Sequence, residues 1–355
     1  MHALMFLAGL AALVLGAELL VRGAARLAAG FGISPLVIGL TIVAMGTSSP
    51  EMAVSVGAAL EGESAIAVGN VVGSNIFNVL VILGLSALII PLAVSAQIVR
   101  QEIPIMIGAS ILLIGLGLDR VIGHGEAALL LGLLAAYTVF LVRQSRAVTP
   151  ADGNDAAVPL SGTGHRTWVQ LLLIVAGLML LVFGADWLVT AATVFARQMG
   201  VTDLVIGLTI VAAGTSMPEL ATSIVAALRG QRDIAIGNVV GSNTFNILGC
   251  VGVTALVAPG GLAVADAVMH FDVWVMLAVA VACVPVFLTG RRIARWEGAM
   301  FVAYYVAYAG YLALMAQQHA LLERYSLIML VFVVPLTVVT LAVSLVRGGL
   351  RERGG

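Results

Sequence analysis

Residues 46–78, GTSSPEMAVSVGAALEGESAIAVGNVVGSNIFN, return 168 positions later as GTSMPELATSIVAALRGQRDIAIGNVVGSNTFN at residues 214–246. Across the wider windows 35–80 and 203–248, 32 of 46 positions are identical without a gap. A repeat of this length makes the chain a duplication of one unit, so every architectural element has to be placed twice. Each copy also sets Glu, Asn, Ser and Thr inside stretches that are otherwise lipid-soluble. Polar groups are costly at that depth and mark a functional site.

The chain has 355 residues, 61% of them hydrophobic and 10% charged, with a mean hydropathy of +1.12. That is too apolar for a soluble domain and too long for a single anchor, so the expectation is a polytopic membrane protein. Apolar runs near 3–28, 35–59, 65–90, 102–118, 125–142, 168–196, 203–228, 233–258, 271–288, 297–316 and 326–346 predict eleven spanning helices. Runs of this length exclude an outer-membrane barrel, whose strands are about ten residues long and alternate in polarity. The net charge of −1 points to no nucleic-acid partner.

All 17 basic residues are Arg. With eleven spans, fourteen of them fall on one face (Arg22, Arg26, Arg100, Arg143, Arg146, Arg166, Arg229, Arg232, Arg291, Arg292, Arg295, Arg347, Arg351 and Arg353) and three on the other (Arg120, Arg197 and Arg324). The positive-inside rule then places the N-terminus outside and the C-terminus in the cytoplasm, in a bacterial inner (plasma) membrane. Residues 1–17 lack a basic start and match the helix beginning at Trp168, so they read as the first span rather than a cleaved leader. Cys250 and Cys283 fall within spans and the five His fall in loops or at ends, which predicts neither a disulfide framework nor a metal-thiolate or histidine site.

Five helices precede the polar segment 144–167, and five matching ones follow it. The expected organisation is a first half at 1–143, a cytoplasmic linker at 144–167, a second half at 168–316, and an extra helix with a basic tail at 317–355. An odd number of spans per unit sends the second copy into the membrane from the opposite side. The fold class is therefore all-α, two inverted five-helix repeats plus one further helix, an arrangement that puts a binding site at the midplane between the repeats.

In GTSSPE, Pro50 has no N–H and its ring clashes with the carbonyl of Gly46, so a helix through this point must break or kink. Pro218 acts in the same way on Gly214. Thr47, Ser48 and Glu51 stand beside the first break and Thr215, Ser216 and Glu219 beside the second. Broken backbone at membrane depth is tolerated only inside protein or along a cavity. In GNVVGSNxFN, Asn70, Ser74 and Asn78 recur every four residues and form one polar stripe, as do Asn238, Ser242 and Asn246. Gly69 with Gly73, and Gly237 with Gly241, are small-xxx-small pairs that admit a close neighbour helix.

Every donor in this set is oxygen, which suits hard cations such as calcium or sodium rather than zinc or copper. Two glutamates bring a formal charge of −2 that one divalent ion neutralises. Without a cation, two carboxylates held close in low dielectric take up protons, so cation loading and protonation compete.

The paired GTSxPE and GNxxGSNxFN segments resemble the alpha repeats of the calcium/cation antiporter superfamily, in the form of the prokaryotic sodium/calcium exchangers. The resemblance spans both halves. It implies antiport of Ca2+ for Na+ across the bilayer by alternating access, with no enzymatic chemistry and no cofactor. It carries the family's ion ligands onto Thr47, Ser48, Glu51, Ser74 and Asn78, and onto Thr215, Ser216, Glu219, Ser242 and Asn246. Proton-coupled relatives usually depart from the first motif, which favours sodium coupling; three sodium ions per calcium is the count implied for some members. Some relatives, potassium-dependent exchangers among them, carry Asp where this chain has Asn246, which speaks against potassium cotransport. Glu18 and Asp186 occupy equivalent positions on the first and sixth helices; Glu18 can pair with Arg22 one turn on, or serve a gate. The rival readings are a proton-coupled or other divalent-cation antiporter of the same fold, and, from another class, a cation channel. No His-Glu-x-x-His motif or nucleophile elbow supports an intramembrane hydrolase.

Overall fold

The computed structural model describes residues 2–147, 167–199, 212–340 and 342. Their helices are α1 (His2–Phe31), α2 (Pro35–Thr47), α3 (Ser49–Leu60), α4 (Ser64–Ile89), α5 (Ile98–Leu116), α6 (His124–Ala147), α7 (Thr167–Gln198), α8 (Met217–Leu228), α9 (Arg232–Val257), α10 (Val268–Leu288), α11 (Arg295–Ala316) and α12 (Leu322–Thr340). Nine of these are long and apolar enough to cross a membrane by themselves, and α2 with α3 forms a tenth crossing bent by 42°. α8 is the second half of the seventh expected span. The rest of that span at 203–211, most of the linker at 148–166, and the tail at 343–355 lie outside the described residues. The fifth helix runs four residues past position 143, to Ala147. No Gly or Pro interrupts the chain before Pro150, so nothing local stops it sooner.

The breaks fall where the prolines require them. Ser48 leaves the helical region at φ −81°, ψ 6°, and Ser216 at φ −88°, ψ 8°, each two residues before a proline that opens the next helix. Glu51 and Glu219 consequently stand in the first turn of a new helix.

Inversion of the halves is visible in the loops. Strand β1 (Leu92–Ala93), which follows α4, pairs antiparallel with β4 (Arg292–Ile293), which follows α10. Strand β2 (Val121–Ile122), after α5, pairs with β3 (Leu262–Ala263), after α9. A connection of one half thus meets a non-equivalent connection of the other at each membrane face. This is possible only if the second unit is inserted upside down.

α4 and α9 form the centre: in their most apolar stretch 78% and 89% of residues are buried, against less than half in each of the other unbroken spans among the described residues. α1 and α7 run antiparallel, backbone against backbone, along a seam of glycines seven residues apart. A Cβ on Gly16 would lie 2.8 Å from the carbonyl oxygen of Gly177, and one on Gly177 would lie 2.7 Å from that of Gly16. α9 approaches α2 in the same manner, since a Cβ on Gly241 would sit 2.7 Å from the Cα of Leu40. The expected small-residue packing is therefore present in the second half. The counterpart of α2 that would meet Gly69 and Gly73 falls at 203–211, outside the described residues. α12 stands at the periphery against α11, where Tyr304 Oη meets Thr337 Oγ1 and Tyr325 Oη donates to the carbonyl of Ala307 at 2.7 Å.

Candidate functional site

The two broken helices bring their motifs together crosswise. Ser48 Oγ donates to Glu219 Oε1 at 2.9 Å, and Ser216 Oγ donates to Glu51 Oε1 at 2.8 Å. Each carboxylate is thus anchored by the serine of the opposite repeat rather than by its own. Both glutamates and both serines are fully buried. The second carboxylate oxygens, Glu51 Oε2 and Glu219 Oε2, have no protein partner, and neither do Ser74 Oγ and Asn78 Oδ1. Buried oxygens are ordinarily hydrogen-bonded, and these four unpartnered acceptors, all on the two motifs, have the composition of a cation's ligand set.

The remaining expected ligands hold the frame as well as the site. Thr47 Oγ1 bonds across the repeats to Asn238 Oδ1 at 3.0 Å, and Thr215 Oγ1 reaches Asn70 Oδ1 at 3.5 Å. Asn70 Nδ2 in turn donates to the Glu51 carbonyl at 3.1 Å and to Ser55 Oγ at 3.0 Å. Asn238 Nδ2 repeats this with the Glu219 carbonyl at 3.3 Å and Ser223 Oγ at 3.0 Å. The first residue of each polar stripe therefore braces the backbone of the glutamate in its own half. Ser242 Oγ lies 3.5 Å from the carbonyl of Ala44, at the long limit of a hydrogen bond.

Between α4 and α9 lies a quartet of asparagines, two of which were not among the expected site residues. Asn75 Nδ2 donates to the main-chain carbonyl of Asn243 at 3.3 Å, and Asn243 Nδ2 returns the bond to Asn75 at 3.2 Å. Asn78 Nδ2 donates to Asn243 Oδ1 at 3.0 Å, and Asn246 Nδ2 to Asn75 Oδ1 at 3.1 Å. With its NH2 group tethered, Asn78 must turn its carbonyl oxygen the other way. Both helices also widen into π-helical turns at this point, Asn78–Leu83 and Asn246–Val251, a local feature common at functional sites. The sequence signal for them is the repeated GSN tripeptide, in which Asn75 and Asn243 sit off the i+4 stripe.

Cys250 belongs to the surroundings of the site. Its Sγ lies 3.5 Å from Asn246 Oδ1, and its counterpart in the first half is Ile82. Among the described residues no group of three or more His, Cys, Asp and Glu side chains is arranged to hold a metal. The cluster is built from two carboxylates with amide and hydroxyl oxygens, as a hard transported ion requires, rather than as a resident transition-metal centre. Glu18 is ion-paired with both Arg22 and Arg229, whereas Asp186 is exposed.

Two buried carboxylates at the interface of inverted repeats are the architecture of a secondary transporter's midplane ion site. The sodium/calcium exchanger protein family model matches residues 1–143 and 169–314, and the chain belongs to that family. It is 40% identical over 309 residues to the putative antiporter CaxA of Alkalimonas amylolytica, covering 85% of this chain and 95% of that one. To the inner membrane protein YrbG of Escherichia coli it is 37% identical over 263 residues, or 72% and 80% of the two chains. Its fold is similar to the solved sodium-calcium exchanger NCX_Mj, with a TM-score of 0.71 and 32% identity, covering 86% of this chain and 96% of that one.

Proposed function

We propose that this protein exchanges Ca2+ for Na+ at the interface of its two repeats, with Ca2+ held between Glu51 and Glu219. Na+ competes for the same carboxylates and for the neighbouring oxygens of Thr47, Ser48, Ser74, Asn78, Thr215, Ser216, Ser242 and Asn246. The observation that carries this reading is the crossed serine–glutamate pairing, which uses one oxygen of each carboxylate and leaves the other unpartnered inside a buried polar cluster. A formal charge of −2 matches one calcium ion. The halves at 1–143 and 168–316 build the exchange core between them, joined by the linker at 144–167, and the segment 317–355 lies outside that core.

The orientation follows from the Arg distribution, fourteen against three: N-terminus outside, C-terminus in the cytoplasm. We infer a bacterial inner membrane, the compartment that the name of the Escherichia coli relative gives for that protein.

Calcium uptake into proteoliposomes, with sodium, potassium and proton gradients imposed one at a time, tests the proposal. Uptake that requires an opposing sodium gradient is expected. Uptake down a calcium gradient with no counter-ion would make the protein a channel, and uptake driven by protons alone would move it to the proton-coupled relatives.

A further inference from the structure

The two repeats are alike in sequence but not in contacts. α1 lies along α8, on which Thr222 and Ala226 are fully buried. By the repeat, α7 and α3 are the counterparts of that pair, yet among the described residues they touch at most marginally. Val54, the equivalent of Thr222, is 43% exposed. One helix of the peripheral pair is thus closed over its partner on the Arg-rich face, while its equivalent stands away on the opposite face.

The closed contact carries a charge lock. Glu18 Oε1 on α1 lies 2.5 Å from an Nη of Arg229, at the foot of α8, and also pairs with Arg22 on its own helix. The repeat does not reproduce this pair at the equivalent positions of the other half. The residues 168 positions away are Asp186 for Glu18, Glu61 for Arg229 and Thr190 for Arg22, so two acidic residues stand where a lock would need opposite charges. The motif residues are duplicated almost without change, whereas this pair is of opposite sign at one face and like sign at the other.

We propose that the Glu18–Arg229 pair is a one-sided latch that holds the exchanger closed on its Arg-rich face at rest, making the two ends of the transport path unequal. The inference rests on the alternating-access reading above. Opening toward the Arg-rich face separates α1 from α8 and breaks the pair. At the other face the equivalent positions, Asp186 and Glu61, offer no such bond to break.

The test uses single cysteine reporters, Thr222→Cys for the Arg-rich face and Val54→Cys for the other, in the full chain with Cys250→Ala and Cys283→Ala. A maleimide reagent is applied to the reconstituted protein. Glu18→Gln and Arg229→Gln are each expected to raise the labelling rate at position 222 by about fivefold, the upper end for an ion pair in contact with solvent. They should lower it at position 54. Arg229→Lys should behave as wild type, and Glu61→Arg, which builds a matching pair with Asp186, should slow labelling at position 54. A merely structural role would raise labelling at both positions together, and that result, or no change at either, overturns the latch. Sodium-driven calcium flux measured on the same vesicles keeps the two readings apart: its absence sinks the antiport proposal, while the labelling decides the latch by itself.

Discussion

Glu51→Gln changes the charge of the site and little else. The amide oxygen of glutamine can still accept the bond from Ser216 Oγ, now 2.8 Å from Glu51 Oε1, so the crossed anchoring and the shape of the side chain survive. What is lost is one of two negative charges. Two unit charges about 4 Å apart interact by about 4 kcal/mol at an effective dielectric of about 20, so a carboxylate and a divalent ion interact by about 8 kcal/mol. Roughly half is offset, because the amide still ligates, the carboxylate no longer has to be dehydrated, and its repulsion with Glu219 is gone. The remaining 4 kcal/mol, taken as an order of magnitude, is about a thousandfold in apparent calcium affinity. Sodium carries half the charge and loses about half that free energy, or roughly thirtyfold. Glu219→Gln should match Glu51→Gln to within a few-fold, since its anchoring bond to Ser48 is the mirror of the other, at 2.9 Å. The assay is radiolabelled calcium counterflow in proteoliposomes across a range of calcium concentrations, with thermal unfolding as the folding control. A folded mutant with near-wild-type calcium affinity, at either position, refutes the paired-glutamate site.

Three further outcomes are expected. Asn75→Ala removes the acceptor for Asn246 Nδ2 and the donor to the Asn243 carbonyl, and should cost about 1–3 kcal/mol of stability while weakening calcium binding; unchanged melting and unchanged half-saturation would show that Asn75 orients nothing. Lowering the pH should inhibit exchange and added calcium should relieve it, because protons and cations compete for the same two carboxylates; flux independent of pH between about 5 and 8 at subsaturating calcium contradicts this. If three sodium ions replace one calcium, the loaded site gains a net positive charge and exchange couples to voltage by about 2.3 kcal/mol per charge per 100 mV, with Asn246→Asp reducing that charge. Voltage-insensitive flux in valinomycin-clamped vesicles, with two sodium ions counted per calcium, would rule out the three-sodium count.

The repeat, the inversion of its second copy and the helical breaks at Pro50 and Pro218 were legible in the chain because each follows from local rules: residue identity at fixed spacing, the length of apolar runs, and the geometry of proline. The same rules mark these carboxylates, amides and hydroxyls as candidate oxygen ligands. They could not say which group meets which. Ser48 bonds to a glutamate 171 residues away and Thr47 to an asparagine 191 away, and neither pairing has any trace in helical periodicity. Asn75 and Asn243 lie beyond those rules for a related reason, since an i+4 stripe reports which residues share a face and says nothing of a residue turned toward the partner helix. The π-helical turns at Asn78 and Asn246, the glycine seam between α1 and α7, and the pairing of Glu18 with Arg229 depend likewise on how the halves dock. Near-identical repeats encode near-identical elements, but a single conformation of an inverted pair buries Thr222 and exposes Val54. Which face of the protein is closed is a property of the assembled helices, because only there do contacts hundreds of residues apart compete for the same space.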